Sequence, residues 1–316
     1  MSQEDKEFDV YNDDDEEITL KPVAELAMAN LCPGEALTLK EVSEFLLARA
    51  ATFVAIVGER NSGKSTIICA LYDRFLRGAF GGFSFAGSKS LIAFERRAHY
   101  SRASSGLEVP DTARTSLDED VHYFHLALVD ENQTSRTDIF LSDRAGETYE
   151  SARANTTLVS RLHEIPQACR VVVLLDGERV ANPMQRSNAI HAVRQMIRAL
   201  LDNDAIGRRS IVQVVTTKAD LISGSKDAAA IQSHLDGFAR ELRRDVESRV
   251  SELTFWSVTA RDPSGQATPA SGLDTLLRDW LTPKPQSREQ ANTPPLPLLR
   301  TEFDKLVLRV PTKAVK

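Results

Sequence analysis

The sequence predicts an α/β fold: a doubly wound sheet of about six strands, one antiparallel hairpin among them, with helices on both faces. Three observations point to it. Near-continuous apolar runs recur along the chain, as expected of strands buried on both faces. Apolar stripes at helical spacing separate most of these runs. A glycine-bracketed loop, GERNSGKS, stands where the first run gives way to a helical pattern.

The elements follow in chain order. Thr38 and Glu41 match a capping box, and Val42, Phe45 and Leu46 form an apolar stripe behind it, so a short helix is expected there. Strands are expected at TFVAIVG, VHYFHLALVD, TDIFLSD, RVVVLLD, IVQVVTT and LTFWSVT. Only the second and third are joined by a short polar turn, ENQTSR, which predicts the hairpin. Asn182 and Pro183 open a helix whose face is Ile190, Val193, Ile197, Leu200 and Leu201. Ile231, Leu235, Phe238, Leu242 and Val246 line another, and Leu273, Leu276, Leu277, Trp280 and Leu281 a last one.

Four segments result. Residues 1–20 are acidic and poor in apolar groups, and are expected to be disordered. Residues 21–51 form a helical extension, 52–281 the α/β domain, and 282–316 a proline-rich tail whose KLVLRV stretch could dock as a strand. At 316 residues and 42% hydrophobic, the chain can bury a full core. No signal-peptide pattern is visible and the apolar runs are short for a bilayer, so no membrane partner is expected. Cys32, Cys69 and Cys169 have neither metal-ligand spacing nor an even count, which fits a reducing cytoplasm. The net charge is −6, but residues 1–17 hold nine acids and one lysine, a charge of −8, and the remainder is therefore near +2. A near-neutral body argues against a nucleic-acid binder.

The chemistry concentrates at strand ends, where ligands of such sheets bind. Gly58, Gly63, Lys64 and Ser65 fit the phosphate-binding pattern G-x-x-x-x-G-K-[ST]. Backbone amides of Asn61, Ser62, Gly63 and Thr66 can turn toward phosphates at a helix N-terminus. Lys64 would neutralise β- and γ-phosphates, and the Ser65 hydroxyl would ligate Mg²⁺. LSDRAGE ends the third strand with Asp143, which can hold the metal through water, and with Gly146, whose amide can sense a γ-phosphate. VVTTKAD ends the fifth with Thr217, Lys218 and Asp220. A carboxylate at Asp220 can accept from guanine's ring N–H and its amine, a donor pair that adenine lacks. The Lys218 stem can lie over the base. SVTAR places Thr259 and Ala260 where an amide could meet the guanine oxygen.

With GERNSGKS, DRAG, TKAD and, more loosely, TAR in this order, the chain resembles the P-loop GTPases of the translation-factor-related class over about residues 52–281. TKAD replaces the commoner N-K-x-D form. FAGSKSLIAFERRAHYSR followed by DRAGE is similar, more loosely, to the bacterial double-GTPase group associated with conflict and defence. The resemblance implies a Ras-like sheet, GTP and GDP as ligands, Mg²⁺, and switch loops that signal to a protein effector or activating partner, including a second GTPase. Two other functions stay open: a GTP-sensing module without turnover, and an ATPase or small-molecule kinase on the same fold.

Several residues depart from the Ras-like pattern. Glu147 stands where a glutamine orients water; a carboxylate accepts from water but cannot donate, so slow intrinsic hydrolysis is expected. Arg60 and Arg144 each have two readings, a built-in arginine finger or a solvent-facing side chain. Asn61 matches a position that can hold K⁺ in Era-like loops, or it simply supports the turn. The first switch should offer a hydroxyl to Mg²⁺; Thr112, Thr115 and Ser116 are candidates and Thr115 is chosen. The long segment from Gly78 to Gly106 mixes Phe80, Phe83, Phe85 and Phe94 with Arg96, Arg97 and Arg102. It could bind nucleic acid, but phenylalanines packed inward under an elaborated switch are the expectation. His122 and His125 fall on opposite faces of a strand, and no zinc site follows from the histidines.

Overall fold

A computed structural model of the chain describes residues 34–99, 120–131, 135–261 and 270–283. The acidic tail, Thr112, Thr115, Ser116, Arg102 and the KLVLRV stretch lie outside the described residues.

Thr38 caps helix α1 (Leu39–Ala48) with both bonds of the capping box. Strand β1 (Ala51–Val57) then leads into helix α2 (Lys64–Arg77). Strand β2 (Phe83–Gly87) and helix α3 (Leu91–His99) follow. The hairpin is β3 (His122–Asp130) and β4 (Arg136–Asp143), after which come the helices α4 (Gly146–Ala154) and α5 (Glu164–Gln167). Strand β5 (Arg170–Asp176) runs straight into α6 (Gly177–Ala181) and α7 (Pro183–Asp202). Strand β6 (Ile211–Thr217) precedes α8 (Ala219–Ser223) and α9 (Ala228–Val246). Strand β7 (Glu252–Ser257) and helix α10 (Leu273–Leu281) complete the series.

The described strands form one sheet in the order β2-β3-β4-β1-β5-β6-β7. β4, β1, β5, β6 and β7 are mutually parallel, so their carboxyl ends share one edge. β3 pairs antiparallel with β4, as its short connection predicts. The strand count is seven rather than about six: β2 adds a second antiparallel pair at the edge, with a register shift between Phe85 and Gly87. FSFAG is too short and too glycine-flanked to stand out as an apolar run.

The runs are continuous because both faces are covered. In β1, Val54 and Ile56 point to α2, α3 and α10, while Ala55 and Val57 point to α4, α7 and α9. All four are fully buried, and burying each larger side chain contributes roughly 1.5–3 kcal/mol. The three helical faces expected from spacing meet the sheet, with Ile190 and Leu235 only partly buried. In α1, Val42 is buried against Phe53, Tyr123 and Phe140, whereas Leu46, expected in the stripe, is exposed. The helix is too short and too peripheral to cover more than one turn's width.

α10 is fixed to the sheet by polar bonds as well as by Trp280. Trp280 Nε1 donates to Gln213 Oε1 at 2.8 Å, and Gln213 Nε2 donates to Asp279 Oδ2 at 2.7 Å. Arg170 Nε donates to the same carboxylate at 3.1 Å and its Nη2 to the Thr282 carbonyl at 2.7 Å. A fully buried glutamine in a central strand is thereby satisfied.

Candidate functional site

The loop between β1 and α2 closes tightly. A Cβ on Gly58 would lie 2.4 Å from Ser62 Oγ, and Gly63 sits at φ 97°, in the left-handed region. Asn61 is exposed at φ 62°, a conformation asparagine tolerates. Lys64 Nζ reaches back to donate to the carbonyls of Gly58 at 2.8 Å and Glu59 at 2.9 Å. Burial pushes its pKa down, although Asp143, Glu147, Glu150 and Glu59 pull the other way. A poorly solvated ammonium of this kind gains from an arriving anion.

Ser65 Oγ donates to Asp143 at 3.0 and 3.1 Å to the two carboxylate oxygens, and Asp143 is fully buried at the end of β4. This pair suits Mg²⁺: one hydroxyl and one carboxylate, both hard oxygens, with phosphate oxygens completing the shell. Among the described residues there is no cluster of three or more His, Cys, Asp or Glu that could hold a metal without such help.

Two residues after Arg144, Gly146 approaches the loop so closely that a Cβ would meet Arg60 N at 2.3 Å. α4 is then laced to the loop. Arg60 N–H donates to Glu150 Oε1 at 2.9 Å, Arg60 Nε faces Glu147 Oε1 at 3.6 Å, and Arg153 Nη1 faces Glu59 Oε1 at 2.5 Å. Arg60 keeps about half of its side chain exposed, at 48%.

Arg144 fits neither expectation for it. It is buried, donating from Nε to Glu164 Oε1 at 2.9 Å and from Nη2 to Oε2 at 3.0 Å, while Tyr149 OH donates to the same glutamate at 2.9 Å. Burial works against its charge, but Glu164 outweighs it and raises the pKa. Arg144 is a strut between β4 and α5; its partner is 20 residues away and could not be read from DRAG.

At the β6 end, Thr217 Oγ1 donates to the Ser62 carbonyl at 2.9 Å and so ties TKAD to the phosphate loop. Lys218 adopts φ 50°, and its Nζ lies 3.0 Å from Asp176 Oδ1 and 2.7 Å from Glu178 Oε2. Burial disfavours its charge, yet these two acids hold its pKa above the ordinary value. Asp220 N–H donates to Thr259 Oγ1 at 3.2 Å, and Asp220 Oδ1 is buried with no hydrogen-bond partner. The Thr259 amide donates to the Ser271 carbonyl at 3.0 Å and is thereby already engaged.

Sequence reasoning missed Asp176 and Gly177. A Cβ on Gly177 would lie 2.0 Å from the Thr217 carbonyl, so β5 meets TKAD only through glycine. A glycine directly after the apolar run RVVVLLD was the available signal. Glu150 and Arg153 were missed too, and nothing in their local sequence marks them; Arg97 stood out only as one of several basic residues, without its contact to Asp143. In the aromatic–basic segment Phe94 packs inward as expected and Phe80 and Phe83 are partly buried, whereas Phe85 is exposed at the edge strand. Phe94 stacks on Tyr72 at 4.8 Å and tilts against Phe124 at 4.9 Å, while Arg96 pairs with Glu35 at 2.7 Å. Among the described residues, no helix is long and apolar enough to cross a membrane.

Residues 52–281 match the family model described as Double-GTPase 2. Similar solved structures include the signal recognition particle receptor SRb-GTP/SRX complex from Chaetomium thermophilum, 14% identical over 74% of this chain and 97% of that one, with a TM-score of 0.40. The S. cerevisiae Ski7 GTPase-like domain bound to GTP is 16% identical over 77% of this chain and 53% of that one, with a TM-score of 0.39. The translation elongation factor SelB from Methanococcus maripaludis, in complex with the GTP analogue GPPNHP, is 13% identical over 74% and 35%, with a TM-score of 0.35. No curated protein matches.

Proposed function

Because this chain belongs to the Double-GTPase 2 family, we propose that it is a molecular switch of the translation-factor-related class of P-loop GTPases that hydrolyses GTP to GDP and phosphate. Its intrinsic turnover is slow, and its nucleotide state is read by a protein partner, either an effector or a second GTPase, in a bacterial defence or conflict setting.

The observation that carries the guanine assignment is the orphaned oxygen of Asp220. A buried acceptor without a donor is costly, and guanine supplies two N–H groups for one carboxylate where adenine supplies none. Lys218, held in the left-handed conformation two residues before Asp220, would lay its stem over the base.

At the other end, Lys64 neutralises charge on the β- and γ-phosphates. Ser65 and Asp143 would hold Mg²⁺, with Thr115 of the first switch as third protein contributor. When bound, the ion would supply positive charge that screens the phosphates. The Gly146 amide meets the γ-phosphate and reports its presence to α4. Glu147 can accept a proton-side contact from water but cannot donate one, and it is paired with Arg60. Both features favour slow cleavage, and the pair also supports the alternative reading of a GTP sensor without significant turnover.

Calorimetry with GTP, GDP and ATP in Mg²⁺ tests the nucleotide assignment. GTP and GDP bind and ATP does not; Asp220→Asn weakens guanine binding and favours xanthine nucleotides. Equal binding of ATP would move the protein to the ATPase reading. Single-turnover cleavage followed over hours, with and without partners, separates switch from sensor. With Asn61 serving the turn, exchanging K⁺ for Na⁺ leaves that rate unchanged.

A further inference from the structure

Helix α3 carries a charge into the metal side of the site. Arg97 Nη2 lies 3.1 Å from Asp143 Oδ2. The Arg97 side chain is 12% exposed and that of Asp143 0%, so the pair is largely withdrawn from water. The guanidinium also sits 6.0 Å from the Phe124 ring. Ser65 Oγ contacts both oxygens of the same carboxylate. One buried carboxylate therefore faces both the hydroxyl of the phosphate loop and a cation from α3.

We propose that Arg97 is a positioning residue that competes with Mg²⁺ for Asp143 and thereby sets how much magnesium the protein needs to retain its nucleotide. This rests on the assignment of Asp143 as the metal-side carboxylate. The physical reason is charge balance. A buried carboxylate is stable beside one cation. A guanidinium and a divalent ion on the same oxygens repel each other at short range, where the protein interior screens weakly. Loading of magnesium therefore requires Arg97 to release Asp143. The rest of α3 can stay in place as this happens, because Phe94, one turn earlier, is held between Tyr72 and Phe124.

The test is retention of a fluorescent GDP by the full chain as Mg²⁺ is titrated, for wild type and Arg97→Met, which keeps an apolar stem against Phe124. The Mg²⁺ concentration for half-maximal retention falls about fivefold or more in the variant, the range of ordinary site-to-site coupling. GDP affinity in excess EDTA is unchanged. The rise in melting temperature produced by Mg²⁺ at saturating GDP is larger in the variant than in wild type. Arg97→Gln gives the same readouts where the methionine variant folds poorly, and Arg97→Lys, which keeps the charge, stays near wild type. An unchanged Mg²⁺ requirement overturns the proposal, and so does a raised one, since Arg97 would then be supporting metal or phosphate. Failure of wild type to bind GDP at all would instead sink the assigned function.

Discussion

Gly146 decides how near α4 can come to the phosphate loop. A methyl group there would press on Arg60 N at 2.3 Å and on the Glu59 carbonyl carbon at 2.6 Å, and both are backbone atoms that cannot swing aside. Gly146→Ala should cost about 1–3 kcal/mol of stability, as overpacking does, and should reduce the preference for a GTP analogue over GDP. Thermal melts and paired affinity measurements check the two effects. Thr217 acts through one oxygen. Thr217→Ala removes the donor to the Ser62 carbonyl and should cost about 1–3 kcal/mol, whereas Thr217→Ser, which keeps the hydroxyl, should recover most of it. Chemical denaturation of the three proteins decides, and equal stability of Ala and Ser would remove the bond from consideration. That Lys64, Ser65 and Asp143 lie close together was legible in the sequence, because their types and places fit a known loop pattern and the end of a neighbouring strand. Arg144 was not, because what governs it is a glutamate on another element.

Among the elements, the β3–β4 hairpin and the turn after β2 meet at a buried histidine. Lys89 N–H donates to His125 Nδ1 at 3.0 Å, so the other ring nitrogen carries the proton toward Asp138 Oδ1, also at 3.0 Å. Burial lowers the His125 pKa below the ordinary 6.5, against the pull of Asp138; Arg136 and Lys89 add to the lowering. Arg49 faces the same aspartate at 3.6 Å, and Phe45 and Phe140 flank the ring. The folded state thus binds fewer protons here than the unfolded state below pH 6.5, so stability rises with pH through that window and levels off above it. Asp138, also depressed, acts in the same sense but lower, below 3.8. Urea midpoints measured from about pH 7.5 down to about pH 5 should fall in wild type, and His125→Gln should lose much of that slope. Alternation showed that His122 and His125 face opposite ways, but not that His125 is sealed by the turn after β2. That strand was read as part of a switch segment, since five residues with glycine at the end carry little periodic signal.

The whole domain is two apolar layers on one sheet, and α10 closes the layer that also holds α2 and α3. Its Trp280 is buried, and its indole N–H reaches Gln213 in the middle of β6. Trp280→Ala should cost about 3–5 kcal/mol, the range for large aromatic truncations in cores. The melting temperature should drop with the transition remaining single, because β5, β6 and α10 share the Arg170–Asp279–Gln213 network. A second, separately melting step would show that α10 is an independent unit.

Local pattern alone determined that a glycine-bracketed loop lies between strand and helix, that Thr217, Lys218 and Asp220 lie at a later strand end, and where most strands and three of the helices run. Those features depend on neighbours in the chain: spacing, capping and alternation act over a few residues. Tertiary structure alone decided the placement of Arg97 on Asp143, the burial of Arg144 on Glu164, the close approach of Gly177 to Thr217, and β2 at the edge of the sheet. Each is a meeting of distant segments, and the identity of a charged or small residue does not say which partner the folded backbone will bring to it.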